Sequence, residues 1–411
     1  MIMKTVIRPE TEMKDSGIEW IGNIPNDWKV SRVGNFFSFS SGDSLTNEDI
    51  RDDGMYLVYG ANGIRGYYFK YNLDKKRILL GRVGALAGNV HIVDEKVWVT
   101  EHALIASDKL NLVEEYYGYV FESMNLIQYS KSSAQPVISG DTLQKLRFPV
   151  PELSEQQAIA DYLDETCSKI DEIIAEAKAS IDEYKELKQS VIFEAVTKGL
   201  DKNVEMKDSG VEWIGEIPVD WVVKKIKYVA TVNTNLVSPI GYEDYHQIAP
   251  DCIEKDSGRL IKERTVSEAG VESWNQLFKQ GQLIYSKIRP TLNKVIIAPY
   301  DGLCSADMYP LDVHENIYFV QFVMLSKYFV GQVGLITQDR VKMPKINQDE
   351  LSNVYVAVPK RTEQQKIVDW LNEQLPRYDS LISEKESLIN DLEAYKKSLI
   401  YEVVTGKRRV V

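Results

Sequence analysis

Two segments of this 411-residue chain are written twice, and any fold it adopts must accommodate the repetition. Met13-Lys14-Asp15-Ser16-Gly17-Ile18-Glu19-Trp20-Ile21-Gly22 returns as Met206-Lys207-Asp208-Ser209-Gly210-Val211-Glu212-Trp213-Ile214-Gly215, and the Ile24-Pro25 and Asp27-Trp28 that follow return as Ile217-Pro218 and Asp220-Trp221. A rear pair closes each half. Val150-Pro151, Glu155-Gln156-Gln157 and the stretch from Ser190 to Thr197 reappear as Val358-Pro359, Glu363-Gln364-Gln365 and the stretch from Ser398 to Thr405. Trp28 recurs 193 residues on as Trp221 and Gln156 recurs 208 residues on as Gln364, so the second insert is 15 residues longer than the first. What lies between the matching pieces does not repeat. Constant frames around two different inserts describe a scaffold that presents two recognition surfaces in equivalent poses.

The rear repeats read as long helices. From residue 154 to about 198, apolar positions at Ile159, Leu163, Ile170, Ile173, Ala177, Tyr184, Leu187 and Val191 fall three and four apart, the seam of a helix that packs on another helix. Ser154 with Gln157 predicts a capping box, and Gly199 a stop. The second copy runs from Thr362 through Ile367, Leu371, Tyr378, Leu381, Leu388, Leu392, Tyr395 and Leu399 to Gly406. Thr166 and Ser180 weaken the first seam, and Gln374 and Lys385 the second. Pro376 removes a helix hydrogen bond and predicts a kink or interruption, where the first copy has Ser168. At about 1.5 Å per residue, roughly 45 residues give a rod of order 65 Å.

Each insert reads as a mixed sheet and helix domain large enough for its own core. In the first, residues 55–60, 77–81 and 90–93 favour strands, punctuated by Asn62-Gly63, Gly84 and Gly88-Asn89. In the second, residues 282–286, 295–298 and 354–358 do the same, and residues 318–330 favour a helix.

The formal charge of −12 argues against nucleic acid as a partner, until it is located. Residues 152–205 hold 14 acidic and 6 basic side chains, a net of −8, whereas the inserts at 21–151 and 214–359 carry only −1 and −2. Near-neutral inserts can present a basic face. Three scattered cysteines give no disulfide framework, and neither a signal peptide nor an apolar run of membrane-spanning length is found, so a cytoplasmic location is expected, with no membrane partner.

Catalytic signatures do not emerge. The four histidines lack metal-ligand spacing, and Gly81, Gly84 and Gly88 match neither a phosphate-cradling loop nor a dinucleotide fingerprint. Asp251, Glu254 and Lys255 read as an ordinary polar loop rather than a nuclease cluster. The chain reads as a binder, with no cofactor of its own.

The chain resembles the DNA-specificity subunit of Type I restriction-modification enzymes. The resemblance rests on Trp20-Ile21-Gly22-Asn23-Ile24-Pro25-Asn26-Asp27-Trp28 and its copy at 213–221, and on Gln135-Pro136-Val137-Ile138 followed by Leu146 to Pro151 and Glu155-Gln156-Gln157. Lys342-Met343-Pro344-Lys345-Ile346-Asn347, then Val356-Ala357-Val358-Pro359 and Glu363-Gln364-Gln365, are the second-half counterparts, and Lys287-Ile288-Arg289-Pro290 with Ser305 downstream also resembles this family's recognition domain. The similarity spans essentially the whole chain. It implies an α+β fold: two globular mixed sheet and helix target recognition domains, separated by two long antiparallel helices as a coiled coil, with a pseudo-two-fold from the duplication. The segments are then a first recognition domain at 1–151, a spacer helix at 152–205, a second recognition domain at 206–359 and a second helix at 360–411. It implies double-stranded DNA, two modification (methyltransferase) subunits and motor and endonuclease subunits as partners, with S-adenosylmethionine, ATP and Mg held by those partners. The competing readings are a coiled-coil adaptor for other proteins and the recognition subunit of a smaller methyltransferase-nuclease complex.

Base and phosphate contacts call for Arg, Lys, Asn, Gln and Ser on loops. On that ground the candidate DNA-binding residues are Arg82, Lys131, Ser133 and Gln135 in the first domain and Lys287, Arg289, Arg340, Lys342 and Lys345 in the second. Trp20, Trp28, Trp213 and Trp221 belong to the constant part, which cannot encode two different sequences, and are expected to pack the frame.

Overall fold

The computed structural model describes residues 4–110, 112–130, 136–340 and 342–411, which form two compact units: 1–177 with 387–411, and 178–386. The division falls inside each long helix, so each unit holds the first part of one helix and the last part of the other.

Both inserts are built on the same four-stranded antiparallel sheet. In the first unit the order is Phe37–Ser41, Ala103–Asp108, Arg77–Gly81, Val90–Val93. In the second it is Ala230–Val232, Met308–Val313, Leu283–Ser286, Val295–Ile297. The difference lies in the accessory sheet. The first unit adds a three-stranded sheet in which Tyr56–Gly60 and Gly63–Tyr68 form a hairpin and Val97–Val99 joins in parallel. The second unit adds a four-stranded sheet of Leu236–Val237, Asn275–Phe278, Gly302–Cys304 and His246–Ile248. The helix expected over 318–330 is two helices, Ile317–Leu325 and Lys327–Thr337, bent by 60° at Ser326. Their apolar side chains, Phe319, Val320, Val323, Tyr328 and Phe329 among them, fill the core of that unit. Among the described residues no single helix is long and apolar enough to cross a membrane.

The frame is duplicated down to its hydrogen bonds. Lys29–Arg32 pairs with Arg147–Val150, and Val222–Lys225 with Tyr355–Val358. Val33 N–H donates to Leu146 O and Ile226 N–H to Val354 O, each at 2.9 Å. Trp28 and Trp221 are buried in their respective cores. Each covers the glycine that ends a long helix: a Cβ on Gly406 would stand 3.1 Å from Trp28, and one on Gly199 would stand 3.3 Å from Trp221. Both glycines are left-handed (φ +73° and +74°), the conformation that terminates a helix. In the first unit this joins the chain ends, with Thr5–Ile7 pairing antiparallel to Arg408–Val410.

The long helices span Leu153–Lys198 and Arg361–Val404 and run antiparallel within each unit. In the first unit Ile159, Leu163, Cys167, Ile170 and Ile174 share a core with Leu399, Ile400, Val403 and Val404, and Lys396 bonds Asp171 at 2.7 Å. In the second, Ile192, Ala195 and Val196 share a core with Ile367, Val368, Leu371 and Leu375, and Lys188 bonds Asp379 at 2.6 Å.

Three sequence expectations about these helices are corrected. The first seam passes through Cys167, Ile174 and Ile181, while Ile173 and Leu187 in that helix and Leu381, Leu388 and Tyr395 in the second are exposed, so the weak Thr166 is not a seam residue. The helices start one residue earlier than read, and Gln157 bonds Asp161 instead of closing a capping box. It is the buried Gln156 and Gln364 that hold the starts, donating to Pro151 O and Pro359 O. Of the kink or interruption expected at Pro376, the interruption does not occur, since the helix continues through it. Pro376 and Asn372, whose carbonyl loses the N–H it would otherwise accept from, lie on the exposed face, while Leu371 and Leu375 anchor the opposite face.

Candidate nucleic-acid interface

Each domain closes the same structure around the end of its central strand. In the first, the loop leaving Arg77–Gly81 meets the chain returning towards the frame: Ile138 N–H donates to Arg82 O at 2.9 Å, Gly84 N–H donates to Pro136 O at 3.0 Å, and Val83 faces Val137. In the second, the loop leaving Leu283–Ser286 does likewise: Ile346 N–H donates to Lys287 O at 2.9 Å, Arg289 N–H donates to Pro344 O at 2.7 Å, and Ile288 faces Lys345. The match extends to backbone handedness. Gly84 and Gly88 are left-handed (φ +89° and +97°), and so are Arg289 and Asn293 at the equivalent places (φ +43° and +47°). Both clamps thus fix two loops at their bases, and the side chains on them differ.

The clamp brings the second domain's candidates together in different roles. Arg340 forms an ion pair with Glu350 and also donates to Lys345 O, and its hydrogen bond holds the Glu350 carboxyl below the usual carboxylate range. Lys345 is paired with Asp307 at 2.9 Å, and the ammonium of Lys287 lies over the Tyr309 ring, 5.2 Å from its centre. These three stiffen the loops. Arg289 and Lys342 are exposed and form no ion pair among the described residues, which leaves both free for an incoming phosphate or base edge. Next to Arg289, buried Pro290 and Asn293 anchor the loop, Asn293 by donating from Nδ2 to Leu325 O at 3.1 Å.

In the first domain, Arg82 turns inward: one terminal nitrogen donates to Ser41 Oγ at 2.7 Å, and its backbone N–H donates to His102 O. Lys131, Ser133 and Gln135 lie outside the described residues. Sequence reading did not single out the tip of the 56–68 hairpin, which seats beside this clamp. The Asn62-Gly63 signal marked only a turn there, and nothing local to it reveals its neighbour.

The tryptophans divide. Trp28 is buried and donates from Nε1 to Glu155 Oε2 at 2.8 Å, and Trp221 is buried likewise. Trp20 donates to Arg147 O at 3.3 Å, while Trp213, 42% exposed, lies over Gly331. Among the described residues no three His, Cys, Asp or Glu side chains gather as a metal site.

The model of the Type I restriction modification DNA specificity domain matches twice, at residues 25–183 and 218–393. The chain is 26% identical over 405 residues to the Type I restriction enzyme EcoDI specificity subunit of Escherichia coli, covering 94% of this chain and 90% of that one. It is 25% identical over 419 residues to the MjaVIII specificity subunit of Methanocaldococcus jannaschii, covering 94% of each. A solved structure described as the basis of complex assembly and conformational transition of the type I R-M system shares the fold, with a TM-score of 0.66 at 11% identity over 93% of this chain and 99% of that one. With two matched segments, one on each frame and insert, the chain belongs to the Type I restriction-modification DNA specificity family.

Proposed function

We propose that the chain is the sequence-reading subunit of a Type I restriction-modification complex, each domain reading one half of an asymmetric bipartite DNA target. The observation that carries this reading is the two-loop clamp, identical in backbone bonding in both domains and dressed with different side chains. Phosphate contacts position a protein on DNA and base contacts specify the sequence, so a constant backbone with variable side chains is what two dissimilar half-sites require. In the second domain Arg289 is assigned to base edges and Lys342 to phosphate, with Arg340, Lys345 and Lys287 as positioning residues. In the first, Lys131, Ser133 and Gln135 are assigned to the DNA, and Arg82 positions the loop.

The chain carries out no catalytic step itself. Adenine methylation belongs to two modification subunits that bind S-adenosylmethionine, and cleavage to motor and endonuclease subunits that use ATP and Mg. The repeated frame and helices offer those partners equivalent docking places and set the distance between half-sites.

Mapping of methylated adenine on a DNA library tests the assignment. The purified chain alone is expected to leave DNA unmethylated. Combined with its modification subunit, it is expected to give methylation confined to one bipartite sequence. Methylation by the chain alone contradicts the proposal.

A further inference from the structure

In the described part of the first clamp Arg82 is half-buried and turned towards Ser41, and Gly84 has no side chain. Chemistry suited to base edges stands immediately beside it. A cleft of about 450 Å³ is walled by Asn47, Asn62, Ile64, Arg65, Val83 and His102, of which Val83 is the clamp residue itself. Among the described residues no carboxylate lines it, although the Glu101 carboxylate lies 3.7 Å from the His102 ring and the chain carries a net charge of −12. By contrast, the cleft between the helix Glu114–Ser123 and the first long helix is lined by Glu122, Asp164, Asp171 and Glu172 against Lys396, and its net negative charge would repel a polyanion.

The hairpin tip is placed with little freedom. A Cβ on Gly81 would stand 2.3 Å from Ala61 O, and one on Gly60 would stand 2.5 Å from Arg65 Cδ. Glycine at position 81 lets the tip rest on the root of the clamp, whereas the contact at Gly60 is with the flexible Arg65 side chain of the same hairpin. Asn89, in the loop that leaves the clamp, donates from Nδ2 to Asn62 Oδ1 at 3.0 Å, and Thr100 N–H donates to Tyr59 O at 2.9 Å. The tip and the clamp are therefore one assembly rather than two mobile loops.

Arg65 is exposed, forms no ion pair among the described residues, and has one terminal nitrogen held by Asn47 Oδ1 at 2.6 Å. That bond orients the guanidinium and leaves its other donors open. A planar fork of donors matches guanine O6 and N7 in the major groove, an Asn amide matches adenine N6 and N7, and an apolar side chain suits the thymine methyl. Arg65 and the 58% exposed Ile64 provide a donor fork and an apolar face on a single hairpin tip, with His102 opposite, while Asn62 has its Oδ1 on Asn89 and only its Nδ2 open.

We propose that this cleft reads base-pair edges of the half-site assigned to the first domain, with Arg65 as its principal specificity-determining residue. The inference rests on the DNA-reading function proposed above. It goes beyond that reading by placing the first domain's specificity on the accessory hairpin, the element in which the two domains differ.

The experiment uses the full chain combined with its modification subunit and compares wild type, Arg65→Ala, Arg65→Lys and Asn62→Ala on the same DNA library. Arg65→Ala is expected to lower methylation of the wild-type target about 5- to 150-fold, the ratio equivalent to about 1–3 kcal/mol for a bidentate base contact. It is also expected to relax one position of the first half-site and leave the second half-site unchanged. Arg65→Lys, which keeps the charge and loses the fork, should not restore the position, and Asn62→Ala, which removes the bond from Asn89 that seats the tip, should weaken reading of the first half-site and leave the second unchanged. Unchanged sequence and rate in Arg65→Ala overturn the proposal. So does a uniform loss across all sequences that Arg65→Lys restores, which marks a phosphate contact. Failure of the DNA-reading function itself looks different, since wild type with its partner would then methylate no defined sequence.

Discussion

At one place the two clamps hold the same backbone with opposite residues. Gly84 and Arg289 both follow a left-handed path, and both donate to the carbonyl of a proline across the clamp. Glycine adopts that path freely, whereas any residue with a Cβ pays about 1–2 kcal/mol for it. Crowding does not explain the glycine, since a Cβ on Gly84 would meet nothing within 4 Å. Strained backbone persists where the surrounding structure over-determines it and the side chain has a use. On the proposed reading, the second domain keeps a costly residue for the use of its side chain, while the first leaves the position bare and reads from the hairpin next door.

The frame gives the comparison its baseline, because there the two halves should respond alike. Trp28→Ala and Trp221→Ala each remove a large buried side chain at the end of a long helix, and each should cost about 3–5 kcal/mol, read as lowered thermal unfolding of its own unit. Loss confined to one of them would break the equivalence of the frames. The clamps should then respond in opposite directions. Gly84→Ala should destabilise by about 1 kcal/mol, because alanine must take a left-handed φ. Arg289→Gly should stabilise by up to about 1 kcal/mol by relieving the same strain, while weakening methylation through the second half-site. Denaturant melts paired with methylation rates check both. Arg289→Gly that lowers stability would remove the argument that the arginine is retained for function.

Much of the architecture was legible because the sequence states it twice. The front motif, the rear motif and the strand runs at 77–81 and 90–93 lie where the residues place them, and the proline-containing returns at Pro136 and Pro344 are both half of a clamp. The seam was read one residue away in the first helix, because Ile173 and Ile174 are adjacent and apolar and only packing decides which is buried. Roles within the basic patch were not legible either. Arg340 and Lys345 resemble Lys342 in sequence, and it takes Glu350 and Asp307, 10 and 38 residues away, to occupy them. The hairpin tip was missed for a related reason, since its meaning lies in Gly81, which lets the distant Ala61 rest on the root of the clamp.

The central claim is that each domain reads one half of the target independently of the other. Exchanging residues 30–149 for the corresponding insert of another family member, then mapping methylated adenine with the modification subunit present, tests it most directly. The account predicts a new first half-site joined to the original second half-site. A change in both halves, or retention of the original first half, would contradict it.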